Sequence, residues 1–289
     1  MRKKPKIIFI LGPTGVGKSD FAAKLAKKIR GEIISSDSMQ VYKGMEILSQ
    51  YPPQRLRKIV PHHLIGTLSP SQEWSAADFV TKAKKISDSI IRRGKVPIIT
   101  GGTGLYARAF MEGLFPSPPK NEALRRRLYK EAKDKGNVKL YAKLKRVDPA
   151  YASKIHPNDT RRVVRALEIY KLTGKPLSEH HSGTTGLKDK YSTSVFILNR
   201  DRDDLYARIN ERVEEMFRCG VIDEVKKLRR LKLSKTAKAV LGLGEIISYI
   251  KGDLSLSEAK ELIKMNTRHY AKRQLTWFRR EKGATWKKL

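Results

Sequence analysis

Over 289 residues the chain carries 62 Lys+Arg against 29 Asp+Glu, a formal net charge of +33. A pocket for one small anion needs only a local cluster of cations, so an excess on this scale suits a polyanion whose neutralised phosphates release counterions. The one cysteine, Cys219, excludes an internal disulfide and a multi-cysteine zinc finger, and no apolar run is long enough to span a membrane.

Met1-Arg2-Lys3-Lys4 imitates the basic start of a secretory signal. The apolar run behind it, Ile7 to Leu11, is too short for a signal core, so a cytosolic protein is expected. That run instead reads as a buried strand feeding Gly12-Pro13-Thr14-Gly15-Val16-Gly17-Lys18-Ser19. The spacing fits G-x-x-x-x-G-K-[ST], the phosphate-cradling P-loop. Asp20 to Ile29 follows as a helix, with Phe21, Ala22, Leu25, Ala26 and Ile29 at helical spacing. Strand, glycine loop and helix aim backbone N–H groups and a helix N-terminus at one anion. Lys18 adds a point charge and Ser19 a hydroxyl suited to Mg²⁺. The motif specifies a di- or triphosphate and does not say which.

Glu32 to Asp37 reads as a second strand ending in a carboxylate, within a polar turn of Ser36, Ser38 and Gln40. In open α/β sheets ligands bind at the carboxyl ends of strands, which places Asp37 beside the P-loop. Residues 42 to 73 read as irregular, with Pro52, Pro53, Pro61 and Pro70. His62-His63 lacks cysteine or carboxylate at ligand spacing and reads as structural or as part of a binding loop rather than a metal site. Ser75 and Asp78 open a helix that Arg92, Arg93 and Gly94 close.

Val96 to Ile99 is the third strand, running into Thr100-Gly101-Gly102-Thr103-Gly104. A P-loop NTPase carries its Walker-B aspartate at this point, and Thr and Gly occupy it here. Its absence argues against ATP hydrolysis and leaves Asp37 as the candidate for both metal and acid–base work.

Pro116, Pro118 and Pro119 mark a change of character. From 117 to 190 the chain reads as a helical insertion with one-sided positive charge, including Arg125-Arg126-Arg127 and the helix Arg161-Arg162-Val163-Val164-Arg165. Such a face suits nucleic-acid contact. Ser194 to Leu198 returns as a core strand. The helix after it sets Arg208 and Arg212 one turn apart, either as a phosphate clamp or as surface residues. In the tail, Trp277 and Phe278 stand among cations and either stack bases or dock the last helix on the core. The expected architecture is α/β: a P-loop NTPase-like parallel sheet flanked by helices, formed by 1–116 and 191–289, with the insertion at 117–190.

Several blocks in order carry a resemblance: GPTGVGKS at 12–19, SSDSMQVYKGM at 35–45, PHHLI at 61–65, PIITGGTGLY at 97–106, HPND at 156–159, LYARINERV at 205–213 and TRHYAKRQLTWFRR at 267–280. Together they resemble the bacterial-type tRNA dimethylallyltransferases, and the likeness covers nearly the whole chain. It implies transfer of a dimethylallyl group from its diphosphate to the N6 amine of the adenosine 3′ of the anticodon. It also implies that the P-loop holds a departing diphosphate, with Lys18, Mg²⁺ on Ser19, and Arg208 or Arg212 at the leaving group. Asp37 is then the general base and a candidate Mg²⁺ ligand, and Thr103 joins it in catalysis. Asp37, Ser38, Met39, Gln40, Thr103, Arg125 and the segment Arg161, Arg162, Val163, Val164 and Arg165 line the RNA path, and the insertion embraces the anticodon stem-loop. A monomer that binds no membrane is expected. The chain departs from the family at Ile47–Pro52 and at Leu241-Gly242-Leu243-Gly244-Glu245, which bear on the donor pocket or its flanking loops. Two other readings stand beside this one: a P-loop kinase of a nucleoside or metabolite, and an RNA-binding protein with a degenerate NTPase core.

Overall fold

Strand β1, Lys6–Leu11, is buried over five of its six residues and forms the axis of a sheet. The computed structural model describes residues 4–115, 117–180, 186–187 and 190–289. Pro116 lies outside the described residues, so the junction read there is not described. The remaining strands are β2 (Gly31–Ser35), β3 (His62–His63), β4 (Val96–Gly101), β5 (Ser192–Asn199) and β6 (Thr285–Lys288). They pair in the order β3-β2-β4-β1-β5-β6, and every pair is parallel. A parallel sheet covered on both faces needs continuous apolar strands, which β1 and β4 supply.

Register brings the functional turns together. Leu11 pairs with Gly101, and Ser35 with Thr100. The chain therefore leaves β1, β2 and β4 at one edge of the sheet, as Gly12, Ser36 and Gly102.

Helix α1 (Lys18–Ile29) begins after Gly17, whose φ of 98° is left-handed and suits glycine. The chain continues through α2 (Gln54–Ile59), α3 (Ala76–Arg92) and α4 (Gly104–Glu112). The Ser75/Asp78 signal holds: the two form a reciprocal capping box at the start of α3. Beyond α4 come α5 (Glu122–Lys135), α6 (Asn137–Val147), α7 (Pro149–Ala152), α8 (Thr160–Thr173) and α9 (Leu177–His180). After β5 come α10 (Arg202–Arg218), α11 (Val221–Leu228), α12 (Leu243–Lys251) and the 23-residue α13 (Leu256–Phe278). The stretch read as irregular thus contains α2 and β3, and the tail contains β6. Elements of two to six residues are too short to show a period.

Contacts divide the chain into two units: Met1–Met111 with Leu187–Leu289, and Glu112–Gly186. The first holds the sheet and two apolar clusters, one on each face. The second is helical over its described elements, with Leu128, Leu140, Leu144, Val163, Val164 and Leu167 in its core.

Candidate active site

A cavity of about 630 Å³ opens at the carboxyl edge of the sheet. Its walls include Gly15, Gly17, Lys18 and Ser19 from the P-loop, Asp37 and Gln40 from the turn after β2, and Arg208 and Arg212 from α10.

The loop is fixed through its carbonyls. Arg208 Nε donates to the Gly15 carbonyl and Arg200 Nε to that of Val16, both at 3.0 Å. Lys18 Nζ donates to the Pro13 carbonyl at 2.6 Å. Gly12 cannot be replaced, because a Cβ there would lie 2.6 Å from the Leu198 carbonyl oxygen. Gly15, Gly17, Lys18 and Ser19 form this side of the cavity, while the Val16 N–H turns back to the Pro13 carbonyl at 3.4 Å. Burial pushes the Lys18 ammonium down to about 7; Asp37 opposes this and Arg212 adds to it. Arg212 is likewise lowered by burial, to about 10, with Asp37 opposing. A polyanion in the cradle would restore both charges, since an opposite charge favours the ionised form.

Across the cavity, Asp37 lies in an Asx turn. Its Oδ1 accepts the Met39 N–H at 2.9 Å, and its own N–H reaches Ser35 Oγ at 3.3 Å. Burial raises its pKa above the ordinary carboxylate range, while the N–H groups of Met39 and Gln40 and the cations Lys18 and Arg212 hold it down. An upward shift makes the carboxylate a stronger base, which suits a general base.

Thr103 is tied to the same turn, its Oγ1 accepting the Ser38 N–H at 3.2 Å. Gln40 Nε2 donates to the Gln50 carbonyl at 3.0 Å, as does Arg212 Nη2 at 3.2 Å. Gln50 has φ 56°, a left-handed conformation that presents this carbonyl to both donors. Met39 packs on the main core rather than facing the cavity.

Three expected details come out differently. Arg208 is engaged with the loop backbone, which makes it as much a brace as a clamp. In the helical unit, Arg125 grips the fully buried Glu168 with two bonds of 2.8 Å, and Arg165 joins it at 2.5 Å. These two guanidinium groups are held by a core carboxylate, whereas Arg161 and Arg162 are exposed. Val163 and Val164 are each 1% exposed and belong to the helical core. Near the sheet, His63 Nε2 meets Glu32 at 2.8 Å, and His62 donates from Nδ1 to the Val60 carbonyl at 2.8 Å. Among the described residues no group of three or more His, Cys, Asp or Glu could hold a metal ion. Ser19 and Asp37 still fit Mg²⁺, which is commonly held by one or two protein oxygens with water and substrate phosphate completing the shell.

Sequence reasoning sets Arg200 near the crevice without a partner and gives no role to Gln50, Tyr270 or Gln274. None lies in a motif with a chemical signature. Arg200, Gln50 and Gln274 reach the loop from more than thirty residues away, and Tyr270 reaches Thr103.

Fold and site together define a P-loop-like protein whose phosphate-binding motif faces a carboxylate across one cavity, with no acid at the end of β4. A family model described as IPP transferase matches residues 40–281, and one described as isopentenyl transferase matches 5–59. The tRNA dimethylallyltransferase of Halothermothrix orenii is 48% identical over 283 residues, 97% of this chain and 86% of that protein. That of Geobacter sulfurreducens is 44% identical, covering 98% and 92%. The crystal structure of the full-length tRNA isopentenylpyrophosphate transferase from Bacillus halodurans matches with TM-score 0.72 and 41% identity, over 99% of this chain and 90% of that one. A eukaryotic dimethylallyltransferase acting on tRNA matches with TM-score 0.78 and 34% identity, over 95% and 70%. The chain belongs to the IPP transferase family.

Proposed function

We propose that this chain is a tRNA dimethylallyltransferase, which moves a dimethylallyl group from dimethylallyl diphosphate to the N6 amine of the adenosine 3′ of the anticodon. The observation that carries the reading is a P-loop cradle and a basic carboxylate, Asp37, facing one cavity with no Walker-B acid beside them.

The chemistry has two difficulties. The adenine amine is a weak nucleophile because its lone pair is delocalised into the ring. The allylic carbon is electrophilic only if diphosphate leaves readily. Lys18, Arg212 and the loop N–H groups stabilise charge as it develops on the departing oxygen. Asp37 accepts the amine proton. The N6–C1 bond forms, the C1–O bond breaks with its electron pair, and diphosphate departs. Ser19 and Asp37 are the residues that would hold a Mg²⁺ ion, which would supply Lewis-acid neutralisation of the diphosphate.

A stacked adenine cannot reach Asp37, so the base is flipped out of the anticodon loop into the cavity. Exposed Arg161 and Arg162 on α8 supply phosphate contacts, and the helical unit serves the anticodon stem-loop. Nucleoside analysis of unmodified tRNA after incubation with labelled dimethylallyl diphosphate tests the reading. Label is expected on N6 of that adenosine alone, and unlabelled tRNA would refute the assignment.

A further inference from the structure

Gln274, on α13, is 5% exposed and carries two long-range bonds. Its Oε1 accepts the Thr14 N–H of the P-loop at 2.9 Å. Its Nε2 donates to the Gly102 carbonyl, in the turn after β4, also at 2.9 Å. One amide therefore spans the donor cradle and the turn that carries Thr103. A carboxamide suits this place because the two targets are an N–H and a carbonyl, which need an acceptor and a donor on one short planar group.

The neighbours of Gln274 on its helix face address the same turn. Tyr270, four residues earlier, sits beside Thr103 and Gln274. Trp277, three residues later, fills the space that a Cβ at Gly104 would take. A Cβ at Gly102 would likewise overlap Gln274 Nε2. Residues 270, 274 and 277 follow i, i+4, i+7 spacing, so one helical face shapes Gly102-Thr103-Gly104. Thr103 in turn bonds the backbone N–H of Ser38, next to Asp37.

We infer that Gln274 is a positioning residue that fixes the P-loop against the Thr103 turn, setting the diphosphate in register with the acceptor amine. The inference rests on the prenyl-transfer reading above. Its physical basis is that aligned reactants lose large rate factors from displacements near 1 Å, while each substrate can still bind its own half of the site.

The test uses the full chain with Gln274→Met, which keeps the volume and removes both bonds. We expect kcat for tRNA prenylation to fall at least tenfold, while the Kd values for inorganic diphosphate and for unmodified tRNA each stay within threefold. A kcat within threefold of wild type overturns the inference. So does a loss matched by weakened binding of one substrate, since a merely structural role would act there. Should Gln274→Met fail to fold, Gly102→Ala carries the test by displacing the amide sterically, with the same expected and overturning results. The double variant Gly102→Ala/Gln274→Ala should be no slower than Gln274→Ala alone, because the clash is gone; losses that multiply count against the strut. A wild-type chain that leaves tRNA unmodified contradicts the proposed function, whereas a fast variant contradicts the strut alone.

Discussion

Asp37 Oδ1 accepts the backbone N–H of Met39 at 2.9 Å, which orients the carboxylate from within its own turn. Because the turn holds itself, removing the charge should leave the RNA path intact. Asp37→Asn should lower single-turnover prenylation by about 10² to 10⁴-fold, the usual range for a general base. Its tRNA Kd should stay within threefold by filter binding. An unimpaired rate would remove Asp37 from the mechanism.

Lys18 governs the alkaline side of the pH profile. Its ammonium lies at about 7 because it is buried, so its charge is present below that pH and lost above it. For the free enzyme, kcat/KM for the allylic donor should therefore decline as pH rises through about 7. Bound diphosphate restores the charge, so kcat should persist to higher pH. Lys18→Arg keeps its cation at any accessible pH and should shift the alkaline limb upward. A limb that stays at the same pH in this variant belongs to another group.

Glu32 anchors the sheet away from the cavity. Burial opposes its charge, but Lys95, His63 and Arg93 all bond to it and hold its pKa at about 2, below the ordinary 4.5. The folded value is the lower one, so the contribution to stability is complete above 4.5 and is lost as pH falls toward 2. Glu32→Gln leaves the Lys95 and Arg93 cations around an uncharged group. It should cost about 1 kcal/mol in urea unfolding at pH 7, since the cations left behind reach solvent, and flatten the acid limb of the stability curve.

The arginines of the helical unit should separate into two kinds. Arg125→Ala with Arg165→Ala removes both cations from buried Glu168, leaving only the Asn121 N–H, and should destabilise that unit by about 3 kcal/mol. Arg161→Ala with Arg162→Ala should leave the melting temperature nearly unchanged. It should weaken tRNA binding and reduce the slope of log K against log salt by about 1 to 2. The reverse pattern would exchange their roles.

Much of the P-loop half was legible because its signals are local. Apolar β1, three left-handed glycines and a lysine at fixed offsets specify one structure within fourteen residues. Asp37 followed from a rule about strand ends. Gln274 was not legible in this way, since its partner Thr14 is 260 residues away. A trace exists in hindsight: Ala259, Ile263, Thr267, Ala271, Gln274 and Phe278 form the buried stripe of α13, and glutamine is out of character there. Arg125 and Arg165 read as free cations because sequence gives no sign that Glu168 is buried beside them. A charge count sees sign and not partner.

The central claim is that the P-loop holds a leaving group opposite Asp37. Its most direct test is single turnover with enzyme in excess over unmodified tRNA, following diphosphate release and prenylation of the RNA together. The account predicts one diphosphate released per N6-prenylated adenosine, both suppressed together in Asp37→Asn, and no reaction when ATP replaces the allylic donor. Phosphoryl transfer from ATP, or diphosphate release without prenylated RNA in the wild-type chain, would contradict it.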